Sequence, residues 1–147
     1  MACNFAHRVQ FSDVVLYQWL LDIGLMPNKS KIIGALCVPD EFFLDFLRGH
    51  LDGDGTIRNF PDPVYPNSQR LYVSFCSASR KHLEWLQARI VKLLGIDGFL
   101  QDGNHEFTLT FAKQDSIRLL RAIYPASDVP CLKRKYNRAE KFLTANV

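Results

Sequence analysis

The sequence predicts an α+β fold in which helices alternate with antiparallel hairpins, in the order helix, strand, strand, helix, strand, strand, helix from Asp40 onward. Two features of the pattern predict it. Apolar residues recur at three-to-four spacing in segments bounded by Gly and Pro, and they alternate strictly with polar residues in Leu71 to Ser77 and in Glu106 to Ala112. The composition agrees, because 147 residues at 48% hydrophobic and 22% charged are ordinary for one globular domain. Apolar runs such as Val14 to Leu16 and Phe42 to Leu44 are broken by charge within a few residues and fall far short of the roughly 18 residues that span a bilayer. Met1 to Phe11 has no apolar core of an export signal. A soluble intracellular protein with no membrane partner is therefore expected. Four scattered cysteines, Cys3, Cys37, Cys76 and Cys131, make neither a disulfide framework nor a zinc site, which also favours a reducing compartment.

The elements follow in order. Ser12 reads as the cap of a first helix whose apolar positions are Val14, Val15, Leu16, Trp19, Leu20 and Ile23, stopped by Gly24 and Pro27. Met26 to Ser30 is a turn. A second helix starts after Pro39 with Asp40 as its cap, places Phe42, Phe43, Phe46, Leu47 and Leu51 inward, and must end at Asp52-Gly53-Asp54-Gly55. Thr56 to Phe60 and Leu71 to Ser77 are strands on either side of a proline-bearing loop. In the second of them Leu71, Val73 and Phe75 bury while Tyr72, Ser74 and Cys76 face the other way. Ser79 opens a third helix through about Leu94, closed by Gly95. Gly98 to Gln101 and Glu106 to Ala112 form a second hairpin around Asp102-Gly103-Asn104. Ile117 to Ile123 and Leu132 to Leu143 complete the helices. Trp19 and Trp85 read as core, and His7, His82 and His105 show no ligand pattern.

Charge is unevenly placed. Met1 to Ala112 carries ten Lys or Arg against twelve Asp or Glu, whereas Lys113 to Val147 carries eight against three. The basic residues Lys133, Arg134, Lys135, Arg138 and Lys141 recur on the last helix, a cluster suited to phosphates and equally to a solvated helix face.

The stretch Leu47-Arg48-Gly49-His50-Leu51-Asp52-Gly53-Asp54-Gly55 stands out because each feature carries a cost. Gly49 and Gly53 each weaken a helix by roughly 1 kcal/mol relative to alanine, which points to a second backbone approaching that face. Asp52 and Asp54 lie at the negative end of the helix dipole, where a cation would compensate them. An EF-hand is excluded, since Ile57 and Pro63 fall where its glycine and bidentate glutamate belong. Taken alone, Asp52 to Gly55 reads more readily as a polar helix stop.

In its whole context the stretch resembles the LAGLIDADG homing endonucleases. The likeness continues through Phe75 to Ser79 with Leu83, Trp85 and Leu86, through Phe111-Ala112-Lys113 and Tyr124-Pro125, to Cys131-Leu132-Lys133-Arg134-Lys135, and so covers residues 40 to 143. Arg48 and His50 depart from it, making part of the motif helix more polar. One motif is present, while residues 5 to 31 look like the trailing strand and helix of a preceding repeat. The division expected is thus an N-terminal segment, 1–38, and an endonuclease domain, 39–147.

The resemblance implies a homing-endonuclease-like αββαββα fold with a curved antiparallel sheet. Its activity would be that of a sequence-specific, divalent-metal-dependent double-stranded DNA endonuclease that hydrolyses phosphodiesters at a site shared between two motif helices. Gly49 and Gly53 would be the helix contacts, Asp54 the catalytic acid, and Asp54 with Gly53 the ligands of Mg2+ or another divalent cation. Asp52 would cap or support the helix end, and Lys113 would be the active-site lysine. Arg58, Arg70, Tyr72, Ser74, Thr108 and Thr110 would face the major groove, with Lys133, Arg134 and Lys135 on phosphates. Since one chain supplies one such acid, a homodimer or a second LAGLIDADG half is the implied partner beside DNA. The alternative is a noncatalytic nucleic-acid binder or a maturase-like RNA partner.

Overall fold

The computed structural model describes residue 10 and residues 12–144. Cys3, His7 and most of the strand expected before the first helix lie outside the described residues. Helix α1, Val14–Asp22, begins one residue later than the sequence suggests: Asp13, not Ser12, is the cap, and its carboxylate accepts from Leu16 N–H at 2.9 Å. An extended segment with one short 3₁₀ turn, Lys29–Lys31, leads past α1 to a second such turn, Asp40–Phe42. Helix α2 then runs Phe43–Asp54. Asp40 does not cap it, because its carboxylate pairs with Arg89 and Lys92 across the fold. Strands β1, Gly55–Pro61, and β2, Gln69–Ser77, form the first hairpin. Helix α3, Arg80–Leu94, ends at Gly95 in the left-handed region (φ +61°), the backbone state glycine enters at no steric cost. Strands β3, Phe99–Asp102, and β4, Phe107–Phe111, form the second hairpin, followed by α4, Lys113–Ile123, and α5, Lys133–Leu143.

The four strands make one antiparallel sheet in the order β1-β2-β4-β3. The register explains why one face is apolar. Ile57 pairs with Val73, Val73 with Phe111, and Phe75 with Leu109, and Leu71 extends the same row. These side chains meet Phe43, Leu47 and Leu51 of α2, Leu83, Leu86 and Ile90 of α3, and Leu119, Leu120 and Ile123 of α4, all buried. The helices therefore cover one sheet face and leave the other open, as alternation in an antiparallel sheet permits. Ser116 stitches the layers, with its hydroxyl donating to Phe111 O at 2.8 Å and accepting from Val73 N–H at 3.0 Å.

The architecture is the αββαββα arrangement expected, and Trp85 packs edge-on against Phe43 and Phe46. Trp19 corrects the sequence reading. It is 54% exposed, because α1 buries none of its residues. The chain after α1 is tied to α3, where Ser79 Oγ donates to Ile33 O, a ring nitrogen of His82 to Gly34 O, and Arg89 to Val38 O.

Candidate functional site

Helix α2 is built with two opposed faces. Phe43, Leu47 and Leu51 are fully buried against the sheet. Opposite them Gly49, Gly53 and Asp54 are exposed, with Phe46 and His50 half-buried beside them. A Cβ added at Gly49 or Gly53 would meet nothing within 4 Å. So the described chain itself gives no steric reason for either glycine. Gly55 is the reverse case, since a Cβ there would lie 2.7 Å from Leu51 Cα and 2.8 Å from Leu51 O. It lets the strand leave the helix at once. The glycine face opens on a cleft of about 850 Å³, whose walls include Gly49, Gly53 and Asp54 on one side and Lys29, Ser30 and Ile33 on the other.

The acidic end of this helix is held from the C-terminal part of the chain. Asp52 accepts from Tyr124 Oη at 3.1 Å and from Leu132 N–H at 2.7 Å, the supporting role its position suggests. Burial, with Asp52 nearby, pushes the Tyr124 phenol above its ordinary range and keeps it a donor. Arg48 is also internal: it donates to Ile123 O at 2.9 Å and to Pro130 O at 3.0 Å, and pairs with Asp45. Its polarity on the motif helix is thereby explained. Lys135 corrects the sequence reading. It is 5% exposed, and its ammonium meets the carbonyls of Leu51, Asp52 and Gly55 at 2.5, 2.8 and 2.7 Å and that of Gly53 at 3.4 Å. A cation buried against the negative end of a helix is unavailable to phosphate. Burial pulls its pKa down, Arg134 adding to the effect while Asp52 and Asp54 oppose it.

The open sheet face carries all six residues expected there, because the register aligns Arg58 with Tyr72, Ser74 with Thr110, and Thr108 with Cys76. Their availability differs. Arg58 is exposed and Tyr72 and Thr108 half-exposed, whereas Ser74 and Thr110 are each 4% exposed, with their hydroxyls 3.0 Å apart. These two form the floor of the face rather than its reading edge. Arg70 is bound to Asp62 at 2.8 Å, and that hydrogen bond holds the Asp62 carboxyl at about 2. The same alternation adds Thr56, opposite Ser74, and Gln101, opposite Thr108, which the sequence reading missed. Strict period-two counting through β1 and β3 would have found both. Lys133 and Arg134 are exposed on α5. Lys113 is the half-buried first residue of α4 and is not among the residues lining the Asp54 cleft.

His50 and His82 form a stacked pair, with rings 5.3 Å apart and Nε2 atoms at 3.2 Å. Gly34 O can only accept, so His82 Nδ1 carries a proton. In the neutral pair His82 Nε2 then accepts from His50 Nε2–H, which leaves His50 Nδ1 an unprotonated acceptor, buried and without a partner among the described residues. Burial lowers both pKa values, and His82 lowers that of His50 further. Among the described residues no three His, Cys, Asp or Glu side chains cluster as metal ligands. Gly53 and Asp54 are exposed at the end of α2, and a carboxylate with a neighbouring carbonyl is a hard donor set of the kind that suits Mg2+, which takes few protein oxygens and keeps waters. No helix among the described residues is long and apolar enough to cross a membrane.

No family model matches the sequence, and no curated protein is similar to it. Solved structures are. The homing endonuclease I-CvuI, in complex with its target in the presence of calcium, is similar at a TM-score of 0.51 and 19% identity, over 71% of this chain and 65% of that one. The same enzyme bound to the I-CreI target in the presence of magnesium gives 0.51 and 18% over the same shares. The LAGLIDADG homing endonuclease I-SmaMI bound to cleaved DNA gives 0.50 and 16%, over 89% of this chain and 43% of that one. The chain thus spans less than two thirds of each of these proteins. At such identities the shared feature is the backbone architecture, and this chain has the fold of the LAGLIDADG homing endonucleases.

Proposed function

We propose that the chain is a sequence-specific, divalent-metal-dependent DNA endonuclease of the homing type, whose site is completed by a second motif helix from another copy or a partner half. The observation that carries this reading is the exposed Gly49-Gly53-Asp54 stripe of α2. It combines two helix-weakening glycines, at neither of which an added Cβ would meet anything within 4 Å among the described residues, and an acid at the negative helix end. A second helix laid along the stripe gives both features a reason. The glycines then allow close backbone approach, and two acids converge.

In this reading Asp54 and Gly53 O hold Mg2+, which supplies charge neutralisation of the phosphate and activation of water. Asp52, held by Tyr124 and Leu132, keeps the helix end in place. Lys113, expected as the active-site lysine, would offset phosphate charge from the start of α4. Arg58, Tyr72 and Thr108, with Thr56 and Gln101, present hydrogen-bonding groups to base edges. Lys133 and Arg134 contact phosphates. The segment before residue 39 belongs, on the same reading, to a preceding unit.

Light scattering combined with cleavage of a randomised DNA library in magnesium tests the proposal. The expected result is a dimer, or a reconstituted pair of halves, that cuts a discrete site, with Asp54→Asn binding that site and not cutting it. A monomer that binds DNA and never cuts, alone or with a partner half and with wild type and Asp54→Asn alike, identifies a noncatalytic binder instead.

A further inference from the structure

The outward face of the sheet carries two phenyl rings beside its polar residues. Phe60 pairs with Arg70 across the first hairpin, and Phe99 pairs with Thr110, which pairs with Ser74. Cross-strand partners share a face, so both rings stand on the open side. Neither is part of the buried core, and they are 40% and 46% exposed. Single exposed apolar residues are ordinary on a protein surface. These two, however, sit on β1 and β3, the outer strands of the sheet, and edges are usually blunted with charge because an exposed apolar edge invites aggregation. Phe60 is also held in place: its ring lies against Tyr72, with centroids 6.1 Å apart and planes 25° from parallel, within the separation aromatic pairs prefer.

We propose that Phe60 and Phe99 are specificity-determining residues that read the C5 methyl groups of thymines in the major groove of duplex DNA. The inference rests on the DNA-endonuclease reading and deepens it, because it names a base that the recognised site must contain. Charge favours DNA on this face, since its outward strand positions hold two arginines, Arg58 and Arg70, and no acid. Its hydrogen-bonding capacity is smaller than its residue types suggest. Ser74 and Thr110 are buried with their hydroxyls 3.0 Å apart, and Arg70 is bound to Asp62. Part of what this face offers a groove is therefore hydrocarbon. In a duplex the faces of the bases are stacked and hidden, and the apolar group on the major-groove edge is the thymine methyl, which a phenyl ring contacts well. The two rings lie on strands three spacings apart, about 14 Å across the sheet. A base-pair step is about 3.4 Å, so each ring reaches a thymine of its own.

The test incubates the full chain with a randomised library of DNA duplexes, without divalent metal so that nothing is cut, and sequences the duplexes retained. Thymine is expected at fixed positions. The consensus duplex is then remade with 2′-deoxyuridine at one such position at a time, a change that removes the C5 methyl and leaves every hydrogen-bonding group. Wild-type affinity should fall about fourfold at two positions for each bound chain, the effect of exposing one buried methylene. Phe60→Ser should abolish the difference between thymine and uracil at one of them and keep it at the other, and Phe99→Ser should do the reverse. Phe60→Asn and Phe99→Asn carry the test if circular dichroism shows that a Ser variant does not fold. A folded variant that keeps both differences overturns the role of the ring it lacks. Equal binding of thymine and uracil at every position by the wild type, or a consensus without thymine, overturns the proposal and leaves the nuclease reading standing. A chain that retains no duplex overturns both. Tighter binding of single strands than of duplexes, lost in Phe60→Ser, shows a stacking platform for unpaired bases and overturns the proposal as well.

Discussion

Three glycines within seven residues of the motif do different work, and their substitutions separate the roles. At Gly49 an added methyl group enters open space, so Gly49→Ala should raise the stability of the isolated chain by up to about 1 kcal/mol through helix propensity. At Gly55 the same methyl meets the Leu51 backbone at 2.7 Å, and Gly55→Ala should cost about 1–3 kcal/mol, as overpacking does. Urea denaturation of the two variants is expected to shift the midpoints in opposite directions. A Gly49→Ala variant that is more stable and has lost self-association or binding to a partner half would tie that glycine to the helix pair. Two equal losses of stability would instead show that Gly49 has a contact within its own chain. The motif pattern singles out Gly49 and Gly53, but the steric need for Gly55 depends on how sharply β1 leaves α2. Spacing in sequence does not encode that angle.

At the scale of elements, α2 is clamped from both sides. Tyr124, Leu132 and Lys135 hold its C-terminal end, while His50 reaches His82 of α3, which reaches Gly34 of the preceding segment. The histidine link makes this joint pH-sensitive. Both rings resist protonation in the folded chain because burial disfavours the charged form. In the unfolded chain they titrate near their ordinary value of about 6.5. The unfolded state therefore binds more protons as the pH falls, and stability should be constant above that value and drop progressively below it. Thermal melts should show this loss in the mildly acidic range. His82→Asn, which keeps a donor for Gly34 O without a titrating ring, should flatten the decline. An unchanged slope would mean that other groups govern it. The Asn28 and His105 backbones, at φ +56° and +69°, show where turns depart from the glycine signals that periodicity reads. The chain before α2 was correspondingly the least legible part. Its α1 carries apolar residues around its circumference and buries none of them, so no stripe marks a core-facing side.

Over the whole molecule, the proposed function assigns DNA contact to two regions, the open sheet face and the exposed residues Lys133 and Arg134 of α5. If Lys133 and Arg134 each neutralise one phosphate, replacing both by Ala should reduce the slope of log K against log salt by about 1.8. Filter binding across a salt series checks this. Lys135→Ala should behave differently, because its ammonium is buried on carbonyls, and its principal effect should be a lower melting temperature. Equal effects of the three substitutions on the salt slope, with unchanged melting, would return Lys135 to the surface cluster in which the sequence alone places it.

What the sequence determined by itself was the order of elements, the buried faces of α2, β2 and α3 and the singular character of Gly49 to Gly55. These follow from periodicity and local propensity, which act over a few residues. It also placed the outward strand residues on one face, because alternation is a local property. What only the tertiary structure decided was which polar groups remain available. Ser74 and Thr110 satisfy each other across 36 residues, Arg48 reaches carbonyls 75 and 82 residues away, and Lys135 reaches back 80 to 84 residues. A buried donor must find an acceptor wherever the fold brings one. A basic residue in a basic run therefore reads as surface until the fold shows what lies against it.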